Sequence, residues 1–371
     1  MAAGTGALAF LGAAADVGVS GFWHKRRVFL TGHTGFIGGW LALALAHRGA
    51  RVTGFALPPP TDPAFYRATA LDRMVEGIEG DIRDAAHLAR ALAAAKPEIV
   101  LHLAAQPLVR PAYADPLGTF STNVMGTANL MQAMRGLDSL RAAVIVTTDK
   151  VYDNREWLWG YRENDALGGR EPYGASKACA EMVVDAFRDS YFAPREHTVG
   201  IATLRAGNVI GGGDFATDRL VPDAVRAFAQ QAPLRLRNPK AVRPWQHVME
   251  PVAGLLTLAE RLAESPRAYA GPWNLGPAEG EAKPVAWVAD RLAELWGEGA
   301  TWTHALGDEP YEARLLALNS AKAAAALGWS TRWPLDEALA HTVAWYKAHR
   351  AGRNDMRGFS LEQIDAHAAR H

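Results

Sequence analysis

At 371 residues and 40.0 kDa the chain is too long for one minimal core, so roughly two domains, or one large α/β domain with an added lobe, are expected. Its composition, 49% hydrophobic and 21% charged, is that of a folded globule and excludes a disordered chain. Lysine plus arginine equal aspartate plus glutamate at 39 each, which removes the electrostatic case for a nucleic-acid partner.

Residues 1–21 are rich in alanine and glycine, but they lack the basic start of an export signal and Asp16 interrupts the apolar run. They read as a disordered extension or a mis-assigned start. No later stretch reaches the roughly eighteen apolar residues of a membrane helix, so no membrane contact is expected. The single cysteine, Cys179, excludes an intramolecular disulfide and a cysteine-rich metal site; it fits a reducing, cytoplasmic setting, and no metal is expected.

From Arg27 onward, short apolar runs alternate with helical stretches. RRVFL reads as a strand, GGWLALALAHRGA as a helix closing on Gly49, and RVTGFAL as the next strand. VEGIEGDI, EIVLHLAA, RAAVIVTT and VGIATLRAG continue the series, separated by helical stretches such as DAAHLARALAAAK and FSTNVMGTANLMQAMRG. This alternation predicts an α/β fold, a doubly wound parallel sheet over 22–211 with its ligands at the carboxyl ends of the strands. Beyond Gly211 the alternation weakens. DRLVPDAVRAFAQQ, PVAGLLTLAERLAE, KPVAWVADRLAELWG and LDEALAHTVAWYKAHR read as amphipathic helices of a smaller C-terminal lobe over 212–371, with short β-like pieces such as PWNLG between them.

VFLTGHTGFIGGW places Gly32, Gly35 and Gly38 directly after the first strand, with Thr34, Phe36 and Ile37 in the same turn. Residues without a Cβ let the backbone approach a pyrophosphate, and the following helix N-terminus offers free N–H groups, so the turn predicts a Rossmann-type dinucleotide site. The acidic residue that would hold the adenosine ribose is absent from the end of the second strand, where Ala56, Leu57 and Pro58 stand; Asp62 lies beyond a proline run. NAD and NADP therefore both stay open from these residues. Asp81, followed by Ile82 at the end of the third strand, is a candidate adenine contact, the alternative being a helix cap for DIRDAAHL.

EPYGASKACAE supplies Tyr173 and Lys177, four residues apart on one helix face. A neighbouring ammonium stabilises a phenolate that is otherwise a poor base at neutral pH. On its own the pair also fits a solvated helix face. The strand RAAVIVTT delivers Thr148, and Asp149 and Lys150 follow it; these two charges at a sheet edge meet either a substrate or each other. RPWQHVME puts Arg243 and His247 beside an aromatic ring, a grouping suited to a diphosphate and its nucleoside, with simple packing as the alternative for His247.

The glycine turn, Thr148, Tyr173 and Lys177 resemble the extended short-chain dehydrogenase/reductase family. Within it, TGHTGFIGGW, AAQPLVR, STNVMGT, TTDKVYDNREWLWGYRE, RAGNVIGGGD, DRLVP and RPWQHV are similar to the CDP-glucose branch of the sugar-nucleotide 4,6-dehydratases, from about Phe22 to the last helix. Asp149-Lys150 is the most specific piece, because the dTDP- and GDP-sugar branches carry Asp-Glu or Glu there. Ile37 stands where that resemblance has a lysine.

The resemblance implies a tightly held NAD, with Tyr173 and Lys177 also contacting the cofactor. It implies a hydro-lyase acting on CDP-glucose through C4 oxidation, C5/C6 elimination and hydride return to C6. Thr148, Asp149, Lys150, Tyr173 and Lys177 would be catalytic, and which of Asp149 and Lys150 takes the C5 proton stays open. Arg243 and Asn208 would hold the substrate diphosphate with His247 beside them; Arg110 and Arg219 are further substrate-binding candidates, a helix-flanking salt bridge being the alternative for each, and about 241–272 of the lobe would return to the Rossmann domain. It further implies a homodimer or homotetramer and a place in dideoxysugar synthesis for surface polysaccharide (lipopolysaccharide, O-antigen). A sugar-nucleotide 4-epimerase or reductase, which has no task for Asp149 and Lys150, and a non-catalytic NAD-sensing module are the other readings.

Overall fold

The computed structural model describes residues 21–370, except 195–198, 279 and 306–312. The N-terminal extension expected over 1–21 therefore lies, up to residue 20, outside the described residues. Seven strands form one sheet: β1 (Arg27–Thr31), β2 (Arg51–Ala56), β3 (Glu76–Glu79), β4 (Ile99–His102), β5 (Ala142–Val146), β6 (Gly200–Ala206) and β7 (Gly271–Leu275). Their order is β7-β6-β5-β4-β1-β2-β3, and every pairing is parallel. Chain direction across the sheet reverses between β1 and β4, so the loops leaving those strands splay apart and open a crevice at their carboxyl ends. The central strands β4 and β6 are buried along their whole length, which is why they read as unbroken apolar runs.

Helices cover both faces. The helix Phe36–His47 is apolar all round and buried from Gly38 to Leu45, as a helix sandwiched between two layers must be. It shares its core with Met249–Glu264, which packs on β5 and β6. The opposite face carries Ala85–Ala95, Gly126–Met134 and Pro172–Phe187. The helical stretch expected from Phe120 begins earlier, at Pro116, where Asp115 Oδ1 accepts from the Gly118 N–H at 2.9 Å; it widens into a π-turn over Ser121–Met125 before continuing.

The segment PWNLG, expected as a short piece among the later helices, is the edge strand β7, with Trp273 opposite Leu204. The chain's return to the sheet thus runs on to Leu275. The helices Leu220–Ala229 and Val285–Trp296 and the strand pair Leu234–Leu236 with Trp302–His304 stand beyond the sheet's carboxyl edge. Leu335–Arg350 and Met356–Ala368 fold back behind the first helix: Trp345 stacks on Phe65 at 6.0 Å, and Trp40 Nε1 donates to the Gly212 carbonyl at 2.9 Å. These contacts brace the glycine turn from the rear.

Candidate active site

The crevice is a cleft of about 760 Å³ running from the glycine turn to the later elements. Gly32 leaves β1 at φ +79°, where a Cβ would sit 2.7 Å from the Ala104 nitrogen; at Gly38 one would sit 2.1 Å from the Gly32 carbonyl oxygen. Loop and helix start are therefore in backbone contact, which no side chain would permit. Gly35 opens the helix, and among the described residues no side chain caps this end, so its first N–H groups are available to an anion. Thr34 Oγ1 donates to the Leu57 carbonyl at 2.9 Å and ties the turn to the end of β2. Gly32, Thr34, Gly35, Phe36, Ile37 and Gly38 all line the cleft, and this cradle fits a dinucleotide pyrophosphate.

Asp81 and Ile82 line the same half. Asp81 is not the helix cap: Asp84 is, accepting from the His87 N–H at 2.9 Å. Both oxygens of Asp81 instead face the Arg83 guanidinium, at 2.5 Å for the closest pair, and this bond holds its carboxyl below the usual range. Asp62 is exposed and paired with Arg67.

At the end of β5, Thr148 stays extended and its Oγ1 donates to Asp149 Oδ1 at 3.0 Å. Asp149 is 2% exposed, and its Oδ2 has no partner among the described residues. Burial pushes its carboxyl up, against the opposing charges of Lys150 and Arg243. The helix Pro172–Phe187 starts with proline in its first turn, and Glu171 accepts from the N–H groups of Tyr173 and Gly174, each at 2.7 Å. That cap fixes Tyr173 at the cleft wall. Burial pushes the phenol up to about 12, with the Thr148 hydroxyl acting in the opposite sense. One turn on, Lys177 Nζ donates to the Val146 carbonyl at 3.0 Å; burial pushes the ammonium down to about 8, against the Glu181 carboxylate. Thr148, Asp149, Lys150, Tyr173 and Lys177 thus all line one cleft.

The far half is lined by Arg110, Asn208, Arg219 and Arg243. Arg219 pairs with Asp214 at 2.9 Å, and Arg243 Nη1 donates to the Val242 carbonyl at 3.0 Å. Asp218 faces Arg110 at 3.5 Å and Arg237 at 3.0 Å, joining the short helix Val109–Ala114 after β4 to the later elements across the mouth. His247 does not belong here. It is fully buried behind the cleft, its ring 4.8 Å from Trp333 and 6.1 Å from Trp40, and burial pushes its imidazole well below the ordinary value. The chain breaks at Pro244-Trp245 between two short strands, Val242–Arg243 and Gln246–His247, so the side-chain alternation is not carried through RPWQHV: Arg243 and Trp245 line the cleft while His247 enters the aromatic core.

The sequence reading missed Arg83, Asp214, Asp218 and Arg237 as cleft residues. The signal was present for two of them: Asp214 and Asp218 crowd Arg219 within six residues of loop, a charge density that a solvated turn does not require.

Comparisons with known proteins match this architecture. The profile of the NAD dependent epimerase/dehydratase family matches residues 28–276. The chain is 48% identical over 336 residues to a CDP-glucose 4,6-dehydratase of Salmonella typhimurium, covering 90% of this chain and 94% of that one. A dTDP-glucose 4,6-dehydratase of Xanthomonas campestris is 27% identical, over 91% and 98%. Among solved structures, a UDP-glucose 4-epimerase of Thermotoga maritima superimposes with a TM-score of 0.75 at 21% identity, over 87% of this chain and 99% of that one; at that identity the likeness speaks to the fold.

Proposed function

Because the chain belongs to the NAD dependent epimerase/dehydratase family, we propose that it is a hydro-lyase converting CDP-glucose to CDP-4-dehydro-6-deoxy-D-glucose and water. The observation that carries this reading is Asp149-Lys150: a buried acid with one unpartnered oxygen and an amine share the cleft with the Tyr173–Lys177 pair. An epimerase or a simple reductase has no work for them.

The turn Gly32–Gly38 with Asp81, Ile82, Tyr173 and Lys177 would hold NAD, which would supply hydride acceptance at C4 and hydride donation at C6, so that no outside oxidant would be consumed. The chain's own groups move the protons. Tyr173 takes the proton of the C4 hydroxyl, which Thr148 aligns, and the Lys177 ammonium, with the positive charge that bound NAD would add, brings the phenol into working range. The resulting C4 ketone acidifies the C5–H bond. Lys150 removes that proton, and Asp149, kept protonated by its burial, gives a proton to the departing C6 hydroxyl, which leaves as water. As C6 is reduced, C5 takes a proton from Lys150, whose ammonium has exchanged with solvent, and the proton on Tyr173 passes through solvent to Asp149, which restores both groups. Arg219 and Arg243, with Asn208 and Arg110, hold the diphosphate at the far half of the cleft.

Incubation of the purified protein with CDP-glucose tests this through the alkali-induced ultraviolet absorbance of a 4-keto-6-deoxy product. A signal with another nucleotide sugar and none with CDP-glucose keeps the reaction and overturns the substrate; no signal with any overturns the reading.

The chain works as a homodimer or a dimer of dimers in the cytoplasm under this proposal. Leu117, Met125 and Met182 are 81%, 56% and 56% exposed along the adjoining helical segments 116–134 and 172–187, an apolar face suited to a second copy. Among the described residues, no helix is long and apolar enough to cross a membrane. Sedimentation of the wild type beside a Leu117→Glu/Met182→Glu variant should show the variant alone as a single chain; a monomeric wild type refutes the assembly.

A further inference from the structure

The catalytic side chains sit on three separate pieces of backbone: the end of β5, the helix Pro172–Phe187 and the turn Asp149–Val151. One buried hub meets all three. Glu181, fully buried and one turn beyond Lys177, accepts from Thr147 Oγ1 and Arg205 Nε on one oxygen, and from Thr203 Oγ1 and Arg205 Nη2 on the other. Thr147 lies between Val146, whose carbonyl holds Lys177, and the catalytic Thr148. Arg205, 2% exposed, carries the hub onward: its Nη1 donates to the Tyr152 hydroxyl at 2.8 Å and to the Glu163 carbonyl at 3.0 Å. The Tyr152 hydroxyl in turn donates to Asn274 Oδ1 at 2.7 Å, at the end of β7.

Tyr152 is the second residue after Lys150. The Asp149–Lys150 dipeptide is therefore strung between two anchors of one network, Thr147 on its amino side and Tyr152 on its carboxyl side. A buried ion pair contributes little net stability over an apolar packing of the same shape, whereas a fork fixed at both ends sets geometry to a few tenths of an ångström. Burial pushes the Tyr152 phenol up to about 12, so it stays a neutral hydrogen-bonding group near neutral pH and does not act as a base.

We propose that Tyr152 is a positioning residue for the elimination half of the reaction, aligning Asp149 and Lys150 through Arg205 and Glu181, while the Thr147 arm of the same hub serves C4 oxidation. This inference rests on the dehydratase reading above. Each arm ends in a hydroxyl that an isosteric substitution removes. Tyr152→Phe keeps the ring stacked on Tyr161 at 5.0 Å and leaves Arg205 its bonds to Glu181 and Glu163. Thr147→Val keeps the shape of its site and removes the bond to Glu181.

The test follows three signals on mixing the NAD-loaded enzyme with CDP-glucose in heavy water: near-ultraviolet absorbance of reduced nicotinamide, deuterium incorporation at C5, and final product. Tyr152→Phe should slow C5 exchange by about ten- to a hundredfold, the cost of a misplacement on the order of 1 Å, with little change in KM. Reduced nicotinamide, transient in the wild type, should accumulate. Thr147→Val should show the reverse, slow appearance of reduced nicotinamide with no accumulation. Equal slowing of both halves in both variants, or wild-type C5 exchange in Tyr152→Phe, overturns the proposal. If Tyr152→Phe does not fold, Thr147→Val decides alone: accumulation of reduced nicotinamide there contradicts the division of the two arms. A wild type that eliminates no water from any nucleotide sugar removes the functional reading and this inference with it, whereas a working wild type with unaltered variants removes the inference alone.

Discussion

The two halves of the cleft are built by different means. The cofactor half is made of backbone: strand ends, a glycine turn and an uncapped helix start, packed so closely that a Cβ added at Gly38 would sit 2.1 Å from the Gly32 carbonyl oxygen. The substrate half is made of side chains, chiefly arginines held by Asp214 and Asp218 in the loop before Leu220–Ala229. A backbone site binds what many proteins bind, while a side-chain site is the part that a change of residue can retune. Tyr173, Asp149 and Lys150 lie where the halves meet.

That contrast is sharpened first at the seam. Tyr173→Phe should lower kcat by about a thousandfold while NAD stays bound, since a positioned acid–base group contributes on the order of 10²–10⁴; steady-state kinetics beside cofactor fluorescence separates the two. Gly38→Ala should act on the cofactor half, weakening NAD binding by about a hundredfold, because the added methyl meets backbone and nothing flexible; titration calorimetry reads it. Arg243→Lys should act on the substrate half, raising KM for CDP-glucose by about tenfold with kcat nearly kept, because the charge remains and the two-pronged fork is lost. If Gly38→Ala raised KM for the sugar and Arg243→Lys released NAD, the division into halves would be wrong.

The smallest effect concerns acid stability, to which the cofactor half contributes two buried imidazoles beside that of His247. His102, whose ring bonds Thr31 Oγ1 at 2.7 Å, is pushed by burial down to about 3, and His33 under the glycine turn to about 4, from the ordinary 6.5. The unfolded chain thus binds more protons than the folded one between those values and 6.5. Stability is present in full above about pH 6.5 and is lost progressively as pH falls toward 3. Thermal unfolding should show Tm lower by several degrees at pH 5 than at pH 7; an unchanged Tm would mean that these imidazoles are protonated in the fold.

The same contrast explains what was legible in the sequence. The sheet, the glycine turn and the Tyr173–Lys177 spacing follow from local patterns, apolar runs and fixed intervals, which survive in one dimension. The Asp149-Lys150 pair was visible as charge out of place at a strand end. Arg237 and Glu181 were not visible, because each acquires its role from a partner far along the chain: Arg237 lies beyond a helix from Asp218, and Glu181 meets Arg205 from another layer of the fold. His247 failed for the opposite reason. Its neighbours Arg243 and Trp245 face the cleft, and the turn of the chain into the Met249–Glu264 helix hides it in a cluster of tryptophans that no short motif announces.

The central claim is that Asp149 and Lys150 make this cleft eliminate water. Nuclear magnetic resonance of CDP-glucose converted by the wild type in heavy water tests it most directly. The account predicts a 4-keto-6-deoxy hexose carrying deuterium at C5, and loss of that label in Lys150→Ala. A hexose that keeps its C6 hydroxyl and its C5 proton, changed in configuration at C4 alone, would contradict it.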